Sequence, residues 1–319
     1  MFNSFLFSLN SVLPIFIVIA FGYFLKSKNY LDDDTVTKIN KISFKFCIST
    51  LLFNDVYTAD MKSVFDVRLV MYAFISTLVI FFVLWGISAL FIKEKKALGA
   101  FVQGCFRGNY AVIGIPLITS ILGQGAASKA ASVTIFVIPL YNILAVIILT
   151  VTSQEKTNNK GSAVTVAKNI AKNPLIIGIL LGFILSFFEI RLPEFAESSI
   201  GYIAKLAAPL ALIAIGGRID MKKMKDSFLL AATACFVKLV LIPCVFLMIA
   251  YYALGITQSD NMIVLYVLYA CPSAINSAIM AEAMGSDGKL AANIVLLTTL
   301  LSVFTFTAGV TLFRMLGIV

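Results

Sequence analysis

Ten apolar runs, at about 5–25, 40–57, 69–92, 97–122, 130–152, 174–190, 199–217, 227–254, 261–284 and 289–315, constrain this chain more than any other feature. A membrane-crossing helix takes about 20 apolar residues, so each run is an expected span. Only 13% of the residues are charged, against roughly 25% in soluble domains. The reading is an all-α polytopic membrane protein. Ten spans would consume roughly 200 residues, which leaves short loops and no room for an extramembrane catalytic domain. The first run lacks a basic leader and a small-residue cleavage site and carries Pro14, so it is expected to stay as a helix rather than be removed.

Lysine and arginine are distributed unevenly over alternate loops, 17 in one set and 5 in the other. Cytoplasmic loops carry the basic excess, which predicts both termini outside the cytoplasm and a multi-pass protein of the plasma membrane. The longest loop, Thr152 to Asn173, is polar and divides the spans five and five. Across it, Pro14, Gly22, Tyr23 and Leu25 line up with Pro174, Gly182, Phe183 and Leu185 at an offset of 160 residues. Five is odd, so two such halves enter the membrane from opposite sides, the inverted-repeat arrangement of many secondary transporters. The expected domains are a first five-helix repeat over 1–152, a cytoplasmic linker over 153–173 and a second, inverted repeat over 174–319.

In inverted-repeat carriers, short apolar segments interrupted by Gly or Pro point to the substrate site. Arg107-Gly108-Asn109-Tyr110 through Gly114 and Pro116 is one such segment, and Cys271-Pro272-Ser273 through Asn276 and Ser277 is the other. A mid-span proline removes a backbone donor and frees a carbonyl. Such groups are tolerated at membrane depth only against protein or a water-filled cavity. Asn109 and Asn276 carry amides that hold a carboxylate or a loop without adding charge, and opened helix ends offer N–H groups to an anion. Pro116 and Pro272 are 156 residues apart, which places the two breaks at equivalent points of the halves. The expected substrate-binding set is Asn109, Tyr110, Pro116, Pro272, Ser273, Asn276, Ser277 and Arg107.

Charges inside spans are functional candidates by default. Arg107 lies about ten residues, or roughly 15 Å, into its span, where it would supply the counter-charge for an anion; a bond to a helix carbonyl end is the plainer alternative. Lys238 is similarly deep and reads mainly as structural. Glu282 is the one carboxylate well within a span and, with Lys238, a candidate coupling or ion-pair group; a water-facing helix end is the plainer alternative. The chain has no histidine and five cysteines (Cys47, Cys105, Cys235, Cys244, Cys271) that read as buried thiols without CxxC pairing. Histidine-based catalysis, a metal site and a cofactor are therefore not expected. An intramembrane aspartyl protease would need paired aspartates in facing helices, and no Asp sits near mid-span. The basic residues lie in loops between spans, so nucleic acid is not expected as a partner.

The element Asn109-Tyr-Ala-Val-Ile-Gly114-Ile-Pro116-Leu resembles the N-x-x-x-x-G-[IL]-P-L motif of the auxin efflux carrier family, which includes plant PIN carriers and bacterial members described as malate or malonate permeases. Asn173-Pro174, Pro209 to Gly216, Lys238 with Pro243, and Cys271-Pro272 through Glu282 to Asp287 match in the family's order, over essentially the whole chain. The resemblance implies ten helices in two inverted repeats, a scaffold and a transport domain, broken and crossing fourth and ninth helices, an elevator-type movement and a homodimer. It implies a small carboxylate as substrate, such as malate, malonate or an auxin-like weak acid. Two departures stand out: the second span lacks the family's frequent central proline, reading Cys47-Ile-Ser49-Thr50, and the long cytoplasmic loop of plant members is absent. An inside-negative potential drives a monoanion outward by about 2.3 kcal/mol per 100 mV, roughly a fortyfold gradient, so potential-driven efflux or exchange needs no coupled ion. The alternatives are a sodium- or proton-coupled carboxylate symporter and a non-transporting sensor.

Overall fold

The computed structural model describes residues 17–58, 66–122, 127–153, 171–217 and 227–317. Pro14 and most of the expected 153–173 linker lie outside these residues. Among the described residues the chain is helical with no strand. Helix α1 spans Ile17–Ser27. α2 runs through Asp33–Ile42, a wide π-type turn at Ser43–Ile48, and Ser49–Tyr57. α3 is Val67–Phe91, α4 is Lys95–Phe106, and α5 is Tyr110–Gly114 followed by Ile115–Leu122. α6 is Ala127–Thr152, α7 Pro174–Phe187 and α8 Glu194–Gly217. α9 covers Phe228–Phe236, Val237–Leu241, Ile242–Met248 and Ile249–Ala253. α10 is Ser259–Ala270, α11 Asn276–Ala283 and α12 Gly288–Met315.

Among the described residues, five helices are long and apolar enough to cross a membrane: α3, α6 from Lys129, α8 to Ala214, α9 and α12. The other expected runs appear as shorter or interrupted helices, because two of them are split between α4 and α5 and between α10 and α11. Their starts follow from capping. Asp66 accepts from the N–H of Leu69, Asn173 caps α7 ahead of Pro174, and Asp287 accepts from the N–H groups of Lys289 and Leu290. Asp287→Ala is expected to lower stability by about 1 kcal/mol, read as a modest drop in melting temperature.

The helices are apolar outside and partly polar inside. On α3, Val79, Phe82, Val83 and Ile87 are exposed, while Ser76 and Thr77 are buried and the Ser76 and Tyr269 hydroxyls lie 2.6 Å apart. Lipid is as apolar as leucine, so burial of apolar surface does little to associate helices, and close packing and hydrogen bonds carry the contact. Four of the five cysteines are buried as expected, but Cys244 is exposed; it lies on the outward face of α9, where a thiol meets lipid at little cost.

Glycines set the closest approaches. A Cβ at Gly22 would lie 2.3 Å from the carbonyl oxygen of Ile213, and one at Gly216 would lie 2.0 Å from that of Ile19, so α1 and α8 touch backbone to backbone. Likewise Gly178 and Gly182 of α7 rest on the carbonyls of Ser49 and Phe53 of α2, at 2.5 and 2.6 Å from the added Cβ. The Gly22–Ile213 contact and the Gly182–Phe53 contact are related by a displacement of 160 residues in each half, the offset seen between Pro14 and Pro174.

Two wide turns have a local cause. Tyr110–Gly114 precedes Ile115-Pro116, and Val237–Leu241 precedes Ile242-Pro243. A proline ring clashes with the carbonyl four residues back, and a wide turn there moves that carbonyl aside. α2 also has a wide turn, at Ser43–Ile48, with no proline in it.

Candidate functional site

α4 ends at Phe106 because Arg107 takes extended geometry (φ −86°, ψ 113°), and α10 ends at Ala270 because Cys271 does the same (φ −55°, ψ 137°). Each break strands carbonyls of the helix before it and N–H groups of the helix after it. In the bilayer these must find partners within the protein, and each break supplies the other's. The N–H of Asn109 donates to the Pro272 carbonyl at 2.8 Å, and that of Ala274 to the Arg107 carbonyl at 3.3 Å. These flank an antiparallel bridge between Gly108 and Ser273. The pattern has a local two-fold centred on that pair.

This geometry corrects the pairing of Pro116 with Pro272. The register equates Gly108 with Ser273, so Pro272 lies opposite the neighbours of Gly108, inside the break. Pro116 is instead the second residue of Ile115–Leu122 and points outward. Proline spacing misled because one proline forms a break and the other begins a helix, where proline is equally at home.

Side chains complete the backbone accounting. Ser273 donates its N–H to Thr298 Oγ1 at 3.1 Å and its hydroxyl to the Gly104 carbonyl. Lys238 Nζ donates to the Phe106 carbonyl at 3.3 Å, a cation at a helix C-terminus, where the dipole favours it. A Cβ at Gly108 would lie 3.2 Å from Cys271 Cβ and 3.3 Å from Lys238 Nζ, so glycine lets both approach. The N–H groups of Asn109, Ala274 and Ser277 are all spent on backbone carbonyls. These three are therefore not offered to an anion.

Arg107 is 4% exposed. Its Nη1 donates to Met280 Sδ and its Nη2 to Asn142 Oδ1, each at 2.6 Å. Gln103, one turn earlier on α4, reaches the same sulfur at 3.9 Å. On the two broken segments Asn109 Nδ2, the Tyr110 hydroxyl and Ser277 Oγ, and on the last turn of α4 Gln103 Oε1, are buried with no hydrogen-bond partner among the described residues. Most buried polar atoms in proteins are paired; among the described residues the other unpaired side-chain atoms are Asn40 Oδ1 on α2 and Asn261 Oδ1 on α10. Among the described residues, neither Arg107 nor Lys238 bonds a carboxylate. Asn276 is half-buried in the first turn of α11. Glu282, at the other end of α11, accepts from Asn40 Nδ2 at 2.8 Å and so ties α11 to α2.

The structure thus gathers Arg107, Asn109, Tyr110, Pro272, Ser273 and Ser277 with Lys238, and sets Pro116 and Glu282 apart. It adds Gln103, Asn142, Met280 and Thr298, which sequence reading missed. Asn142 carried a signal: a lone amide three residues after Pro139 in an apolar span. Met280 carried none, because a methionine in an apolar helix reads as packing.

A family model described as "Membrane transport protein" matches residues 7–308. The chain is similar to a "Putative malonate transporter" of Rhizobium meliloti (strain 1021), 27% identical over 309 residues and covering 95% of each chain. It is also similar to "Uncharacterized transporter YfdV" of Escherichia coli (strain K12), 22% identical over 280 residues, 86% of this chain and 88% of that one. A third relative is "Uncharacterized transporter MJ1031" of Methanocaldococcus jannaschii, 23% identical over 303 residues, 91% of this chain and 94% of that one.

Proposed function

Since the chain belongs to the membrane transport protein family, it is a membrane transporter, and we propose that it is a secondary carrier of a small organic carboxylate, with its substrate site at the paired helix breaks. The observation that carries this reading is the buried Arg107 guanidinium, whose hydrogen-bond partners among the described residues are a thioether and an amide. A buried charge without a counter-ion is costly, and an anionic substrate supplies that counter-ion. Asn109, Tyr110 and Ser277 offer the neutral hydrogen bonds around it. Malonate is the first candidate, from the name of the Rhizobium relative, with malate and auxin-like weak acids after it.

The architecture proposed for transport is ten spans in two inverted repeats, 1–152 and 174–319, in a homodimer of the plasma membrane with both termini outside. The 160-residue displacement that relates the glycine contacts supports the repeat. In this reading α2 and α8 belong to a scaffold, and the broken pairs α4–α5 and α10–α11 move as an elevator, driven by the potential toward efflux or exchange. A coupled mechanism is supported by the contact of Glu282 with Asn40, which would set a protonatable group between the two proposed bodies.

The test is anion uptake into proteoliposomes under imposed potentials of either sign, with and without a pH gradient, comparing the native protein with Asn109→Ala. Asn109 Nδ2 has no partner and its side chain caps no helix, so the variant is expected to keep its melting temperature. Loss of one substrate hydrogen bond, about 1.4 kcal/mol, is expected to lower flux about tenfold. Undiminished flux in the variant would remove Asn109 from the site. Flux that requires the pH gradient would make the carrier proton-coupled and Glu282 the next residue to change.

A further inference from the structure

α3 and α9 run antiparallel, and at one end they are tied: the Arg68 guanidinium donates to the Leu254 carbonyl and the Tyr72 hydroxyl to the Phe246 carbonyl. Past those ties a cleft of about 390 Å³ opens between them, with Phe101 of α4 behind it. It runs along α3 from Ile80 to Phe91, about 16 Å at 1.5 Å per residue, close to one leaflet of a hydrocarbon core about 30 Å thick. That volume over that length leaves a section of roughly 25 Å², room for an extended hydrocarbon chain and too narrow for a helix 10–12 Å across. Of the fifteen described residues lining it, Ser88 and Thr233 alone have polar side chains, and the Thr233 hydroxyl is spent on the Leu229 carbonyl at 2.8 Å. Val83 and Ile87 are exposed on its outer lip, which turns the opening toward the bilayer.

The far end of the cleft is charged. Ile92, which lines it, leads straight into Lys93-Glu94-Lys95-Lys96. Lys93 and Lys95 are exposed, and among the described residues none of the three lysines bonds a carboxylate. The adjoining turn, where the backbone N–H of Asp287 donates to the Lys96 carbonyl, adds Lys289, while the Asp287 carboxylate is spent on capping α12. Four lysines thus stand against Glu94 and Asp287. We propose that the cleft binds an anionic membrane phospholipid, with an acyl chain between α3 and α9 and the phosphate at Lys93, Lys95 and Lys96. Its leaflet lies on the side proposed above as cytoplasmic, where anionic lipids attract basic residues at the membrane surface. One wall of the cleft includes Val237, Leu241 and Ile242, at the wide turn of α9. From that turn Lys238 reaches the other way, to the Phe106 carbonyl, so a chain in the cleft braces the turn while Lys238 closes the end of α4. This site is separate from the helix breaks and does not rest on the anion-carrier reading.

The single tryptophan, Trp85, is the probe. It stands on α3 between the lining residues Leu84 and Ile87, within reach of a brominated acyl chain, which quenches indole fluorescence on contact. Native protein in phosphatidylcholine vesicles is titrated with small fractions of dibrominated phosphatidylglycerol or of dibrominated phosphatidylcholine. Half-maximal quenching is expected at a fraction of the glycerol lipid lower by at least about tenfold, given the surplus of lysines at the membrane surface. Lys93→Gln, Lys95→Gln and Lys96→Gln made together are expected to bring the two curves into coincidence. So is Thr233→Phe, which puts a ring in the mouth of the cleft from an exposed position. Coincident curves in the native protein overturn the proposal, and that comparison needs no variant to fold. A preference that survives in the triple variant overturns the role of the lysines, and one that survives in Thr233→Phe places the lipid outside the cleft. Trp85 shielded from both lipids until the protein is diluted in the bilayer assigns the cleft to a second copy of the chain instead. Phosphatidylglycerol is also expected to raise the native melting temperature, as a ligand of the folded state does; no rise overturns the bracing of α9. Anion flux is read in none of these measurements, so their failure leaves the carrier reading where it stands.

Discussion

Replacing Arg107 with methionine is expected to cut carboxylate flux by roughly two orders of magnitude while the melting temperature of the empty carrier holds or rises. The two signs have one cause. The guanidinium is buried on Met280 Sδ and Asn142 Oδ1 with no carboxylate partner among the described residues. Replacing buried charge by a well-packed apolar group of similar volume is often neutral or stabilising. In the proposed substrate complex the same group is half of a buried charge pair, and removing one partner of such a pair costs about 3 kcal/mol, a factor of about 100. A structural arginine would behave the other way, with stability falling and the flux per folded molecule unchanged. Thermal melting and flux normalised to folded protein, measured on one preparation, separate the two.

The second large effect concerns the fold. Gly216→Leu is expected to abolish recovery of monodisperse protein, because its Cβ would lie 2.0 Å from the Ile19 carbonyl and 2.8 Å from the Tyr23 amide, both backbone atoms. Neither can turn aside as a side chain would, so α1 and α8 would have to separate. Overpacking of this kind costs about 3 kcal/mol or more, a large share of the 5–15 kcal/mol typical of native proteins. Gly86→Leu is the control, since nothing lies within 4 Å of a Cβ there. Size-exclusion profiles in detergent are expected to be normal for Gly86→Leu and lost for Gly216→Leu. Equal profiles would remove the backbone contact as a determinant of the fold.

The parts of this architecture that were legible are those set by backbone chemistry. A span containing Arg107, Gly108 and Asn109, or Pro272 and Ser273, cannot be an ordinary lipid-facing helix, and both break where those residues stand. The Pro14–Pro174 offset recurs in the contacts of Gly22 and Gly182. What failed was register: Pro116 and Pro272 share a residue type but have different jobs, and which backbone atoms meet across the breaks is a tertiary fact. The side-chain partners were hidden for a related reason. Met280 and Thr298 reach the site from helices far along the chain, and their residue types are as common in plain packing as beside a charge. Lys238 reads from sequence as mainly structural, and its bond to Phe106 agrees with that; its approach to Gly108 is visible only in three dimensions.

The mutual pairing of Arg107–Asn109 with Pro272–Ala274 also bears on how the protein is made. When the first break leaves the ribosome, the groups that satisfy it lie some 165 residues downstream, roughly 10–30 s away at 5–20 residues per second. During that interval the Arg107 carbonyl and the Asn109 amide have no native partner, and lipid offers none. The nascent first half must therefore hold this segment in water, in the translocon or against a chaperone until the second half arrives. Neither half inserted alone can close its own break.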